Sequence, residues 1–219
     1  GQAGDRLKLI ANYGAGVDHI DVATARQRGV LVSNTPGVMT DDTADMVMAL
    51  ILAVIRRIPE GLAVMHQGTW SGWAPTAFLG GRVGGRRLGI LGMGRIGTGV
   101  ARRAAAFDMQ IVYWSRSEVV EVERDLGAQR VTFEALLEQS DHIVVCLPLN
   151  DETRGLVGAS AFARMKSTAN LVNIARGAIV DTDALVEALT VGQIRCAALD
   201  VTDPEPLPPD HALLSIPSC

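Results

Sequence analysis

The sequence predicts an α/β protein: a doubly wound parallel sheet with helices on both faces, preceded by a second, smaller α/β unit. Three observations carry this expectation. Short apolar runs, turns and stretches of helical periodicity alternate along the chain, the trace left by βαβ construction. Aromatics are only 4% while apolar residues reach 48%, so the core is built of Ala, Val, Leu, Ile and Met, a palette suited to buried parallel strands. A glycine-rich turn, Gly92-Met93-Gly94-Arg95-Ile96-Gly97, stands where one apolar run gives way to a helical stretch.

The elements follow in order. A strand over 7–13 runs into the turn Gly14-Ala15-Gly16, then a helix near 21–28, a strand at 30–33 and a turn at 34–37. These make up the smaller unit, residues 1–39, and residues 40–219 make up the larger one, which begins with a long helix. Thr40, Asp41 and Asp42 are expected to cap that long helix and set negative charge at its positive end. It runs over 44–58, breaks at Pro59 and resumes towards Met65. A Gly/Trp/Pro-rich connection over 68–85 leads to the main sheet, with strands expected at 87–91, 111–114, 130–132, 142–147, 169–174 and 194–199. Six such strands fit the order 3-2-1-4-5-6 of a Rossmann-like sheet. The segment 203–209 is proline-rich and reads as a loop.

Composition excludes several function classes. A net charge of −4 gives no basic excess for nucleic acid. The longest apolar stretch, 46–55, is too short to span a bilayer and ends in Arg56-Arg57, so no membrane partner is expected. Cys146, Cys196 and Cys219 have neither metal-ligand spacing nor the look of a disulfide framework, which points to a reducing cytoplasm and no metal site.

The glycine-rich turn carries the chemistry. Gly92 makes the tight turn, Gly94 lets backbone approach a pyrophosphate, and Gly97 lets helix and strand pack closely. An NAD site of this kind places an acid on the ribose about 20 residues later. Here the next strand ends in Ser115-Arg116-Ser117, without a carboxylate. An arginine flanked by hydroxyls suits a 2′-phosphate, so NADP is the expected cofactor and NAD the alternative.

Further motifs add to these. Asn173-Ile174-Ala175-Arg176-Gly177 with Val180-Asp181, then Ala198-Leu199-Asp200, Glu205-Pro206 and the early Gly14-Ala15-Gly16-Val17-Asp18, resemble the D-isomer-specific 2-hydroxyacid dehydrogenases. Residues 200–208 and the Trp73/Pro75 segment are most similar to glyoxylate/hydroxypyruvate reductases within that family. The resemblance implies that residues 1–39 are a partial α/β substrate-binding domain and that 40–219 are the dinucleotide-binding domain, including a long interdomain helix and a dimer arm. It implies reduction of a small 2-keto acid to a D-2-hydroxy acid by hydride transfer from a nicotinamide, in a homodimer with Trp73 near the contact. It implies that Arg176 grips the keto oxygen and carboxylate, and that Tyr13, Gly14, Ala15 and Gly16 offer backbone to the carboxylate. Cofactor contacts would come from Thr43, the 92–97 turn, Leu147, Pro148, Thr153, Ile174, Ala175 and Asp200, the last on the nicotinamide carboxamide. Glu205 would raise the pKa of a catalytic histidine. The family's histidine falls beyond Cys219, so the chain is expected to be truncated at both ends and to lack it. None of the other histidines is expected to take its place: His211 is expected at the surface, His19 to be structural, His66 near the end of the long helix pair and His142 at a strand edge. Asp108 stands where the family has a helix-ending glycine. A nucleotide-sensing module of corepressor type, and sibling phosphoglycerate, formate or phosphite dehydrogenases, are the alternatives.

Overall fold

The computed structural model describes residues 6–219; the first five residues of the expected 1–39 unit lie outside the described residues. Two parallel sheets are present. In the small one, β1 (Leu9–Ala11) pairs with β2 (Leu31–Ser33), connected through α1 (Val22–Gln27), whose first turn is capped by the Asp21 carboxylate accepting the Thr24 N–H. The main sheet holds six strands: β3 (Arg87–Leu91), β4 (Gln110–Trp114), β5 (Gln129–Arg130), β6 (His142–Val145), β7 (Asn170–Asn173) and β8 (Cys196–Leu199). Their order is β5-β4-β3-β6-β7-β8, every pair parallel, which is the expected 3-2-1-4-5-6. The order reverses between β3 and β6, and a crevice opens there at the carboxyl ends of the strands.

The period-2 alternation of the strands divides the core in two. Leu88, Ile90, Ile111, Tyr113, Val144, Val172 and Ala198 face α2 (Thr40–Ile55) and α4 (Arg95–Ala106). Val112, Ile143, Val145, Leu171 and Ala197 face α6 (Phe133–Gln139), α7 (Ala159–Phe162) and α8 (Thr182–Thr190). Helix α5 (Val120–Leu126) joins the first face through Val122, beside α4, and α3 (Ile58–His66) follows α2. Gly89 sits at one crowded point of the second face: a Cβ there would collide with Ser140 Oγ and Leu136.

The expected boundaries shift in places. The small sheet's strands are shorter than expected: β1 covers Leu9–Ala11, although backbone bonds to the β2 segment continue on both sides, from the Leu31 N–H to the Lys8 carbonyl (3.0 Å) and from the Asn12 N–H to the Ser33 carbonyl (2.8 Å). The long helix starts at Thr40, not 44, and its N-cap is Met39 with no side-chain bond; Thr40 is already helical, and only the negative charge of Asp41 and Asp42 lies in the first turn as expected. Asp41 and Asp45 instead bind Arg103 of α4, at 3.3 and 2.5 Å, tying the two helices together. The break comes at Arg57, which is left-handed (φ 57°), and Pro59 lies inside the first turn of α3, where its missing N–H costs nothing.

His142 is not at an edge. It opens β6 in the middle of the sheet, with 4% of its surface exposed. Its Nδ1 accepts from Asn170 Nδ2 at 2.7 Å, and Asn170 Oδ1 in turn accepts from Cys196 Sγ at 2.7 Å, a polar row across three strands. Burial holds the imidazole neutral, its pKa lowered to about 4. Below pH 6.5 the unfolded chain therefore takes up a proton that the folded chain refuses, and stability falls as the pH drops towards 4. That loss amounts to roughly 3 kcal/mol by pH 4. His142→Leu is expected to flatten this part of the curve in urea unfolding measured from pH 7 to 4; an unchanged slope would place the proton elsewhere.

Several helix ends share one device. After α1, α3, α4 and α8 a left-handed residue lets its own N–H and the next one return to the last turn; the residue is Gly29, Gly68, Asp108 and Gly192, and α5 ends at left-handed Gly127 with a single bond to the Glu123 carbonyl. At α4 the Asp108 N–H reaches the Ala105 carbonyl at 3.0 Å and the Met109 N–H that of Ala104 at 3.1 Å. A side chain in this conformation crowds its own carbonyl. Asp108→Gly is expected to raise stability by about 1 kcal/mol, seen as a higher thermal midpoint.

Candidate active site

The crevice at the β3/β6 reversal is a cleft of about 530 Å³ between the small sheet and the main sheet. One wall is the β3–α4 turn. Gly92 is left-handed (φ 100°), and a Cβ there would press on the Cys146 carbonyl at 2.8 Å. A Cβ on Gly97 would collide with the Gly92 carbonyl oxygen. Gly94 differs from both: its φ of −83° suits any residue, and a Cβ there would project into open space. The protein's own packing thus requires glycine at 92 and 97 but not at 94, which borders the cleft. The first turn of α4 has no side-chain cap and no acidic residue, whereas α1, α6 and α8 all have an Asp or Thr cap. Its leading N–H groups and positive dipole end are available to an anion. These residues fit a dinucleotide pyrophosphate.

The opposite wall is the loop after β1. Asn12 Nδ2 donates to the carbonyls of Gly14 (3.0 Å) and Gly16 (2.9 Å), and Asn34 Nδ2 donates to that of Ala15 (2.8 Å). With its carbonyls held by side chains, the loop is free to turn N–H groups to an anionic ligand.

Between the walls lies Arg176. Asn173, fully buried at the end of β7, fixes its loop: Nδ2 donates to the Arg176 carbonyl at 2.9 Å and Oδ1 accepts the Ala175 N–H at 3.1 Å. Gly177 follows because a Cβ would collide with the backbone of Thr202 and Asp203. The guanidinium is shared across the cleft. Nε lies 3.1 and 3.2 Å from the two Asp18 oxygens, Nη2 lies 3.0 Å from Oδ1, and Nη1 donates to the Ala175 carbonyl at 2.7 Å. The hydrogen bond from Arg176, more than any other influence, holds the Asp18 carboxyl below its ordinary range despite partial burial. Of the five guanidinium N–H groups, one on each Nη remains for a ligand. The adjoining Cys146 is no nucleophile, since burial pushes its thiol up to about 12.

The expected site residues divide accordingly. Ala15, Gly16, Gly94, Arg95, Ile96, Leu147, Pro148, Ile174, Ala175 and Arg176 line the cleft together. Tyr13 is fully exposed, and Gly14 stands outside the lining. Met93 turns its side chain into the core beneath the turn. Thr43 lies one turn into α2, where Thr40 lines the cleft in its place. The Thr153 hydroxyl is taken by the Pro148 carbonyl (2.7 Å) and the Asn150 N–H (2.9 Å), so it shapes the turn after β6. Asp200 and Glu205 are exposed and away from the lining; Ser115, Arg116 and Ser117 sit at the tip of β4, also beyond it. None of the four histidines lines the cleft, and His211 caps the turn at 212–215 by accepting the Leu213 N–H at 3.2 Å. Sequence reasoning missed Asp18 as a partner of Arg176, and missed Asn12 and Asn34. The asparagines could have been found, since each stands one residue beyond a strand, before a glycine or proline turn.

Residues 48–219 match the family described as D-isomer specific 2-hydroxyacid dehydrogenase, NAD binding domain. The chain belongs to this family. A glyoxylate reductase of Aeropyrum pernix is 50% identical over 212 residues, covering 95% of the chain and 63% of the relative. The crystal structure of a glyoxylate reductase from Paecilomyes thermophila superposes with a TM-score of 0.89 at 40% identity, over 98% of the chain and 64% of that protein. An NADPH-dependent glyoxylate/hydroxypyruvate reductase from Sinorhizobium meliloti, solved with NADP and malonate, gives 0.89 at 37% identity over 98% and 66%. The chain therefore spans less than two thirds of the length of the curated relatives it matches.

Two glycines of the turn make separable predictions. Gly94→Ala is expected to leave the thermal midpoint nearly unchanged while weakening dinucleotide binding, followed by fluorescence titration. Gly97→Ala is expected to cost about 1–3 kcal/mol of stability through overpacking, measured by chemical unfolding.

Proposed function

We propose that this chain is the nucleotide-binding core of an NADPH-dependent reductase that converts glyoxylate or hydroxypyruvate to the corresponding 2-hydroxy acid, of D configuration where the product is chiral. The observation that carries the reading is Arg176, held by Asn173 and Asp18 with two donors left over, facing the 14–16 loop across a cleft walled by the α4 N-terminus. The family membership and the names of the relatives support it. On this reading residues 1–39 are part of the substrate domain, and 40–219 are the dinucleotide domain with interdomain helix α2 and dimer arm.

The bound nicotinamide supplies the hydride. The chain's own residues bind and orient: the 92–97 turn takes the pyrophosphate, and Leu147 and Pro148 cover the adenosine. Arg176 holds the keto acid, its carboxylate against the loop at 14–16 and its carbonyl oxygen towards the cation. A cation already in place gains most as charge develops on that oxygen, because no reorganisation is needed at that moment. Asp18 keeps the guanidinium from swinging out. The proton would come from a histidine outside these residues, paired with Glu205. A second copy of the chain would cover the apolar surface formed by Ile58, Leu62, Met65, Trp70 and Trp73, which are 47–83% exposed on α3 and the following arm. No helix among the described residues is long and apolar enough to cross a membrane; the three free cysteines accord with a reducing, cytoplasmic setting.

The experiment is reduction of glyoxylate and hydroxypyruvate, followed through NADPH absorbance, by the whole protein that contains this chain. Activity with both acids is expected, and Arg176→Gln should lower kcat/KM by about 10²–10³-fold while leaving NADPH binding intact. A protein that binds NADPH and reduces no 2-keto acid would overturn the reading, and would favour a nucleotide-sensing role.

A further inference from the structure

The segment after β4, where the ribose of a bound dinucleotide would lie, is held in a way that its own sequence did not disclose. Arg130, from the two-residue edge strand β5, reaches back over the tip of β4. Its Nη2 donates to the carbonyls of Ser115 and Arg116, each at 2.9 Å, and its Nε to Ser115 at 3.2 Å. The far end of the loop is held from below, where the Tyr113 hydroxyl accepts the Val119 N–H at 2.9 Å and donates to Glu123 at 2.6 Å. Within the loop the Ser115 hydroxyl bonds the Ser117 carbonyl.

Three consequences follow for an anion at this loop. The carbonyl oxygens of Ser115 and Arg116, which would repel a phosphate, are engaged by Arg130. The partners of Arg130 are neutral, and among the described residues no carboxylate pairs with Arg130 or with Arg116, so both positive charges are unneutralised. Both N–H groups of Arg130 Nη1 have no protein acceptor among the described residues. A preorganised loop with two free cations and no carboxylate at the strand tip fits a phosphate monoester better than a bare ribose diol.

We propose that Arg130 is a positioning and specificity-determining residue for the 2′-phosphate of NADPH, holding the Ser115–Ser117 loop and adding its own charge to that of Arg116. The proposal rests on the NADPH reading above. The test is fluorescence titration of the protein and its Arg130→Gln and Arg130→Lys variants with NADPH and NADH. Adenosine 2′,5′-bisphosphate and AMP, which isolate the phosphate, compete in parallel, at low and high salt. Wild type is expected to prefer NADPH. Arg130→Gln should lose at least tenfold in affinity for NADPH and the bisphosphate, change less than twofold for NADH and AMP, and show a weaker salt dependence for NADPH. Arg130→Lys should keep part of the preference, and serves as the measured variant if Arg130→Gln does not fold. Equal losses for both dinucleotides, or no loss for either, would overturn the assignment and leave Arg130 a loop staple. A wild-type protein without NADPH preference would overturn the cofactor reading itself, and this inference with it.

Discussion

The close approach of α4 to β3 is the constraint on which the rest depends. A helix can leave a strand so abruptly only if no side chain intervenes, and the structure meets that condition with Gly97 against the Gly92 carbonyl and Gly92 against the Cys146 carbonyl. These contacts set α4 across the first half of the sheet and bring its uncapped N-terminus to the place where the strand order reverses. The cleft is thus a result of backbone packing before any side chain lines it. Helix α2 then lies on α4, with Ala44 against Gly99, so the glycine in mid-helix that costs helix propensity is used for close helix contact.

Much of this was legible beforehand. All six main strands and their order follow from the alternation of apolar runs with helical stretches, because strands buried on both faces and helices covering them leave strong, long signals. The glycine turn was legible for a different reason: its spacing is dictated by three separate steric demands, and the structure shows which two of them the protein itself makes. Helix ends were read less well. The start of α2 resembled a capping sequence in Thr40, Asp41 and Asp42, yet two of the three nearby acids, Asp41 and Asp45, are drawn to Arg103, a partner about sixty positions away that local pattern does not reveal.

The same limit applied in the cleft. Arg176 was singled out by motif, but the Asp18 that orients it is 158 positions earlier, and the pair exists only because the small sheet and the main sheet are folded against each other. Arg130 escaped notice similarly, as one more charged residue on a short edge strand. His142 shows the opposite failure: a polar residue opening a strand suggested an exposed edge, whereas the structure buries it in mid-sheet, with only Nδ1 bonded, in the row with Asn170 and Cys196. Exposed candidates such as Tyr13, Asp200 and Glu205 are spelled out by sequence, but the described fold leaves them outside the cleft lining.

The ends of the main sheet bear on how such a chain avoids its own kind. An all-parallel sheet forms from contacts distant in sequence, so partly folded molecules can persist with unpaired strand edges that recruit other chains. Here one margin is reduced to β5, two exposed residues long, and one of them carries the guanidinium of Arg130. At the other margin the Ser218 carbonyl already accepts the Ala197 N–H of β8 at 2.8 Å. A short charged margin on one side and an occupied bond on the other leave little backbone for edge-to-edge association, so aggregation is opposed by the outline of the sheet as well as by its surface charge.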